Sequence, residues 1–258
     1  YLNDAFSCSH RAHASTDAIT RFLPSFFGPM MNEEINALHE ALENPKKPSL
    51  AIIGGSKVST KISVLKNLIF KLDNLIIGGG MANTFLHAGG SPIGKSLYEP
   101  DFKDTVNEIH ELAKKYNCKI FLPVDVVVSK DFIKNADHKI VNINECPSDH
   151  MILDIGEKSI ELYKRIISSS KTILWNGPLG AFETKPFDKG TNALAKHTSL
   201  ITVNKKCVSV AGGGDTVSAL NSINVTADFS YVSSAGGAFL EWLEGKELPG
   251  IKAINLSK

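Results

Sequence analysis

Six short apolar runs, Leu50–Ile53, Leu75–Ile77, Lys119–Pro123, Thr172–Trp175, Cys207–Ala211 and Tyr231–Ser233, alternate with helical stretches over most of this chain. The runs are continuous rather than alternating, as strands covered on both faces should be. Between and after them, Lys57–Leu72, Asp101–Tyr116, Ser159–Ser169, Gly190–Leu200, Val217–Asn221 and Ala235–Leu243 read as helical. Such alternation predicts an α/β fold built on a parallel sheet with helices on both faces. Ahead of it, Asn32–Asn44 reads as an amphipathic helix with Ile35, Leu38 and Leu42 on one stripe, ended by Asn44-Pro45-Lys46-Lys47-Pro48. Residues before about Pro24 complete no sheet element and read as part of something else. The opening at Tyr1 suggests a fragment.

The 258 residues balance 28 Lys and Arg against 27 Asp and Glu, a net charge of +1. No broad field therefore draws the chain to nucleic acid or to an anionic membrane, and any anion must be held by local geometry. Cys8, Cys118, Cys146 and Cys207 have no metal-ligand spacing, which suits a reducing, cytoplasmic location. No apolar run reaches the length needed to span a membrane, and no signal peptide is visible.

Glycines gather at the carboxyl ends of the expected strands: Gly54-Gly55, Gly78 to Gly80, Gly177, Gly212 to Gly214 and Gly236-Gly237. Ligands of open α/β sheets sit at that edge, so the clusters imply a crevice lined by backbone rather than convenient turns alone. In Val210-Ala211-Gly212-Gly213-Gly214-Asp215-Thr216 a strand ends in three glycines and Asp-Thr opens a helix. Glycine lets N–H groups approach an anion, the helix N-terminus adds partial positive charge, and Asp215 suits a divalent cation bridging to phosphate. A plain helix cap by Asp215 or Thr216 is the alternative.

Lys57 and Lys61, four residues apart after the first strand, place two ammonium groups on one helix face, as an anion site or as a solvated basic face. No Walker A spacing is present. Trp175-Asn176-Gly177-Pro178-Leu179-Gly180-Ala181-Phe182-Glu183 makes a rigid bend against which a flat base can lie, with Glu183 able to accept ribose hydroxyls or simply solvated. Ser233-Ser234-Ala235-Gly236-Gly237 opens a second helix N-terminus. Near the start, Arg11 offers a fork for phosphate or carboxylate, and His10 with His13 forms a hydrogen-bonding or basic pair more readily than a metal site.

These segments, in order, resemble the phosphoglycerate kinase family: Asn-Asp-Ala-Phe…His-Arg-Ala-His-Ala, Gly-Gly-Ser-Lys-Val-Ser-Thr-Lys-Ile, Gly-Gly-Gly-Met-Ala, Trp-Asn-Gly-Pro-Leu-Gly-Ala-Phe-Glu, Gly-Gly-Gly-Asp-Thr and Leu-Glu-Gly-Lys-Glu-Leu-Pro-Gly. The resemblance implies two Rossmann-like domains joined by a hinge helix. Mapped here, residues 1–24 are the tail of the first domain, 25–48 the hinge segment and helix, 49–245 the nucleotide domain and 246–258 the start of the return segment. It implies reversible phosphoryl transfer between 1,3-bisphosphoglycerate and Mg-ADP, giving 3-phosphoglycerate and Mg-ATP, by a monomer.

By the same resemblance, Lys57 stabilises the phosphoryl group in flight and Lys61 holds nucleotide phosphates. Gly213, Gly214 and Thr216 cradle phosphate, Asp215 reaches Mg²⁺, Glu183 holds the ribose, and Asn176 and Pro178 lie beside the nucleoside. Gly236 and Gly237 present the last helix to the transferring group, while His10 and Arg11 belong to the phosphoglycerate side.

Two departures from the family pattern stand out. Ala235 replaces a usual glycine, which predicts a less close backbone approach there, and Pro29 makes the hinge unusual. A dinucleotide-dependent dehydrogenase would explain an α/β sheet with glycine turns but would need a Gly-x-Gly-x-x-Gly opening that the chain lacks. A non-catalytic nucleotide-binding domain explains the second half equally well, but does not require Lys57.

Overall fold

The computed structural model describes residues 1–257. Strands β1 (Leu2–Asn3) and β2 (Phe26–Phe27) pair in parallel, so the opening segment does complete a small sheet element, contrary to expectation. Helix α1 (Pro29–Leu38) follows and continues through a π-helical turn, His39–Glu43. Pro29 stands at the first turn of α1, where a missing N–H costs nothing, so its presence agrees with a regular helix start.

The main sheet uses β3 (Ser49–Ile53), β4 (Asn74–Ile77) and β5 (Lys119–Phe121), connected by α2 (Ile62–Lys71), α3 (Gly79–Ala88) and α4 (Lys103–Lys115). After β5 the chain makes a separate antiparallel sheet of β6 (Asp125–Ser129), β7 (His138–Asn142) and β8 (Met151–Ile155). It then returns through α5 (Glu157–Ser169), β9 (Thr172–Asn176), α6 (Lys189–Val203), β10 (Val208–Gly212), α7 (Gly214–Ser222), β11 (Tyr231–Ser233), α8 (Gly237–Leu243) and α9 (Pro249–Leu256).

The six main strands are all parallel, in the order β11-β10-β9-β3-β4-β5. Strand order therefore reverses between β3 and β9, the point at which such sheets open a crevice. Successive residues of β3 serve opposite faces: Ala51 and Ile53 pack in the layer of Leu65, Phe85 and Phe239, while Leu50 and Ile52 pack with Tyr163, Leu194 and Leu220. Both faces are covered by helices, which is why the sequence runs are continuously apolar. Among the described residues no helix is long and apolar enough to cross a membrane.

All six expected main-sheet strands are present. The helix expected from Lys57 begins at Ile62, with Lys61 as its N-cap. The preceding loop is claimed by tertiary contacts: Glu99 accepts hydrogen bonds from Ser59 N–H at 2.9 Å and Ser59 Oγ at 2.6 Å, and Gly55 O accepts from Met81 N–H at 3.1 Å. Lys57 and Lys61 consequently do not share a helix face. Helices α3 and α9 and strands β6 to β8 were not anticipated.

Candidate functional site

At the carboxyl end of the sheet, the loops after β3, β4 and β9 interlock backbone to backbone. A Cβ on Gly54 would lie 1.8 Å from Pro178 O, one on Gly177 2.2 Å from Gly54 O, and one on Gly80 2.5 Å from Ser56 O. These glycines lock three loops together. Gly214 and Gly236, by contrast, face open space, with nothing within 4 Å of an added Cβ. Within the clusters the glycines divide: Gly55, Gly79 and Gly80 line the cleft, while Gly54 and Gly177 serve the close approach of the loops.

Lys61 sits on the switch point itself. Its ammonium donates to Gly54 O at 2.7 Å, Asn176 Oδ1 at 2.6 Å and Asn176 O at 3.2 Å, bridging the ends of β3 and β9. Burial lowers its pKa to about 8, with the negative charge of Asp215 acting the other way. Asn176 continues the network, donating from Nδ2 to Gly212 O at 2.8 Å. Thr216, also buried, accepts from Gly177 N–H at 2.7 Å through its hydroxyl, so its Oγ ties β9 to α7 and does not cap the helix. Gly213 is the N-cap residue, at φ +94°, a conformation that favours glycine, and no side chain caps α7. Asp215 has no hydrogen bond or ion pair among the described residues; its carboxylate is exposed in the first turn. The plain-cap alternative has no contact to support it.

A cleft of about 390 Å³ opens beside this network. Pro178, Glu183 and Asp215 line it, together with backbone of Gly55, Gly79 and Gly80 and the apolar side chains of Leu97, Phe132 and Leu153. Glu183 is exposed and forms no ion pair among the described residues. Sequence reasoning missed the wall made by α3 and β8, which brings Asn83 and Asp154 to the cleft. The acid inside the otherwise apolar run Met151-Ile152-Leu153-Asp154-Ile155 was the available signal.

Lys57 is exposed in the loop after β3, ahead of α2. Burial raises the Glu99 carboxyl, but the Ser59 hydrogen bonds and, after them, the charge of Lys57 hold it below its ordinary range. His10 lies against the start of α8, its Nε2 3.0 Å from the position of a Cβ on Gly237. Its Nδ1 is buried with no hydrogen-bond partner among the described residues. The segment carrying His10 is anchored: Gly250 N–H donates to Ser9 O at 2.9 Å, and Phe6 packs 6.1 Å from Trp242 between ring centroids. Arg11 is exposed. Ala235 turns its methyl into the core and its N–H donates to Ser233 Oγ at 3.1 Å, so this residue is not placed to obstruct the open face at Gly236. Among the described residues, no group of three or more His, Cys, Asp or Glu side chains is placed to hold a metal ion.

A family model described as phosphoglycerate kinase matches residues 1–246. Phosphoglycerate kinase of Methylorubrum extorquens (strain PA1) is 56% identical over 254 residues, covering 98% of this chain and 64% of that protein. The Zymomonas mobilis subsp. mobilis phosphoglycerate kinase is 55% identical, with the same two coverages of 98% and 64%. Among solved structures, the phosphoglycerate kinase from Coxiella burnetii superposes with a TM-score of 0.95 at 45% identity, covering 99% of this chain and 65% of that one. The Pyrococcus horikoshii OT3 phosphoglycerate kinase gives a TM-score of 0.83 at 29% identity, covering 99% and 64%. The chain thus spans less than two thirds of the length of these relatives.

Proposed function

This chain belongs to the phosphoglycerate kinase family, and from that premise we propose that it carries the nucleotide half of an enzyme moving a phosphoryl group reversibly between 1,3-bisphosphoglycerate and Mg-ADP, with 3-phosphoglycerate and Mg-ATP as products. The observation that carries this reading is the combination at the β3–β9 switch point: a buried ammonium, an open glycine at the start of α7 and an unpartnered carboxylate beside a cleft of about 390 Å³. A purine nucleoside fits the apolar part of that cleft, with Pro178 against the base and Glu183 on the ribose hydroxyls. Gly214 N–H and the positive end of α7 meet phosphate. Thr216 and Asn176 hold the surrounding loops in register and so act mainly through Gly177, Gly212 and Lys61.

Asp215 alone cannot hold a metal, but one carboxylate with phosphate oxygens is the donor set that suits magnesium arriving on the nucleotide. When bound there, Mg²⁺ supplies charge neutralisation to the phosphates. Phosphoryl transfer asks little covalent chemistry of a protein, so positioning and charge carry the barrier reduction. Lys57, exposed and free of ion pairs among the described residues, is the cation available to the group in flight. The N-terminus of α8 at Gly236 and Gly237, with His10 beside it, faces the same transfer from the phosphoglycerate side, where Arg11 also belongs. We assign residues 1–24 to the tail of the phosphoglycerate-binding domain, 25–48 to the hinge, 49–245 to the nucleotide domain and 246–258 to the return segment.

Titration with ADP, with and without magnesium, tests the reading. Asp215→Asn is expected to weaken the magnesium complex about tenfold or more while leaving free ADP nearly unchanged, because the carboxylate acts through the cation. Equal losses under both conditions would reduce Asp215 to a helix-terminal charge, and absence of ADP binding would remove the nucleotide assignment.

Lys61 adds a pH signature. Its pKa of about 8 rises when phosphate approaches, so binding takes up a proton between roughly pH 8 and 10 and ADP affinity declines as pH climbs through that window. Calorimetry in buffers of different ionisation enthalpy reads this directly. Lys61→Met abolishes the uptake if Lys61 is its source.

A further inference from the structure

Lys57 forms no ion pair among the described residues, so its exposed ammonium can be aimed only by the backbone that carries it. That backbone is pinned from several sides. Val58 is fully buried in the core, Thr60 Oγ1 donates to Lys57 O at 2.9 Å, and Lys61 N–H donates to Val58 O at 2.9 Å. Between them stands Ser59, whose N–H donates to Glu99 Oε2 at 2.9 Å and whose hydroxyl donates to Glu99 Oε1 at 2.6 Å. Both carboxylate oxygens of Glu99 are thus spent on one residue, two places beyond Lys57 and 40 positions away in the chain.

Glu99 is itself held. Its N–H donates at 3.1 Å to Oγ1 of Thr84, which is buried in α3. Asn83, one position earlier in α3, donates from Nδ2 to Leu97 O at 3.1 Å. The carboxylate therefore projects from a segment fastened to α3, not from a free surface loop. Glu99 precedes the 3₁₀ turn Pro100–Phe102, yet its side chain caps nothing there, and it does not line the cleft. Its carboxylate serves the loop after β3.

We propose that Glu99 is a positioning residue for Lys57: its carboxylate, fixed to α3, holds the loop after β3 in the register that brings the Lys57 ammonium to the transferring group. The inference rests on the assignment of Lys57 to the phosphoryl group in flight. A single apolar anchor such as Val58 leaves a loop free to rock about it. A second, two-point contact to an ionised acceptor removes that freedom, and the 2.6 Å hydroxyl bond has the short length such an acceptor gives. Lys61 needs no such help, because Gly54 O and both oxygens of Asn176 hold its ammonium. Loss of Glu99 should therefore reach the transfer step and spare nucleotide binding.

Steady-state kinetics of phosphoryl transfer in the full-length protein test this. Glu99→Ala is expected to lower kcat about 30-fold with the ADP KM within about twofold of its parent value. Glu99→Gln can keep both contacts, its carbonyl oxygen accepting from Ser59 N–H and its amide donating to Ser59 Oγ, and should recover all but about threefold of that loss. In a Lys57→Ala background Glu99→Ala should cost nothing more, since nothing is left to position. Ser59→Ala removes the hydroxyl half of the clamp and leaves the carboxylate in place. It should lower kcat about fivefold, again with no further loss in the Lys57→Ala background, whether or not Glu99→Ala folds. Unchanged kcat in both Glu99→Ala and Ser59→Ala, an undiminished loss in the Lys57→Ala background, or no recovery in Glu99→Gln overturns the proposal while leaving the kinase reading intact. A Lys57→Ala variant as fast as its parent overturns the assignment of Lys57, and this inference with it.

Discussion

On the proposed kinase reading, Lys57→Ala is expected to lower kcat by roughly 10³-fold while the nucleotide KM stays within a few-fold, the pattern of an interaction made only in the transition state. Lys57 is exposed, lies outside any helix and holds no ion pair among the described residues, so its removal leaves the fold intact. Lys61 cannot take its place, because its ammonium is already held by Gly54 O and both oxygens of Asn176. Arginine is a poor substitute, since a planar guanidinium does not occupy the point a compact ammonium does. Steady-state kinetics decide the matter: a rise in KM with kcat unchanged would place Lys57 among the ground-state contacts instead.

Gly54→Ala and Gly214→Ala should diverge sharply. At position 54 the new methyl carbon would lie 1.8 Å from Pro178 O, a collision with backbone between two central strands that no side-chain rotation relieves. Overpacking of that kind, applied to main chain, costs about 4 kcal/mol or more and should unfold much of the protein at physiological temperature. At position 214 the methyl meets nothing within 4 Å and sits in the first turn of α7, so denaturant unfolding should change by only about 0.5 kcal/mol. On the proposed nucleotide reading, ADP affinity should nevertheless fall roughly tenfold for Gly214→Ala, since the methyl would enter the space assigned to phosphate. Equal stability of the two variants would show that the loops after β3 and β9 do not interlock as described.

The contrast between these glycines marks where sequence reading ends. The central strands β3, β4, β9 and β10 were legible because burial on both faces writes a largely unbroken apolar run. The edge strands β5 and β11 are only partly buried and were legible from their place in the strand–helix alternation. Helix α3 was not, because its Met81, Ala82, Phe85 and Leu86 are buried alongside Asn83 and Thr84, which leaves no polar stripe, and its first residues are glycines. Strand β7 exposes His138, Lys139 and Ile140 and sits at an edge, so composition alone could not separate it from a loop. Within the candidate site, Lys61, Asn176, Thr216, Pro178, Glu183 and Asp215 were legible as residue types near glycines. Their division of labour was not. Only the hydrogen bonds reveal that Thr216 and Asn176 spend their polar atoms on neighbouring backbone, and only the start of α2 at Ile62 separates Lys57 from Lys61.

The bridge from Lys61 to Asn176 spans 115 positions of chain, whereas the opposite wall of the cleft comes from the locally closed antiparallel sheet β7–β6–β8. The two walls therefore differ in when they can form. The small sheet gains its contacts after closing comparatively short stretches of chain; the bridge requires β9 to find β3 across the long intervening segment. Competence to hold a ligand then depends on a long-range pairing rather than on the local wall alone. A ligand recognising only the finished cleft finds no purchase on the states that precede it, so its presence should slow the route out of the native state and leave the route in unhurried.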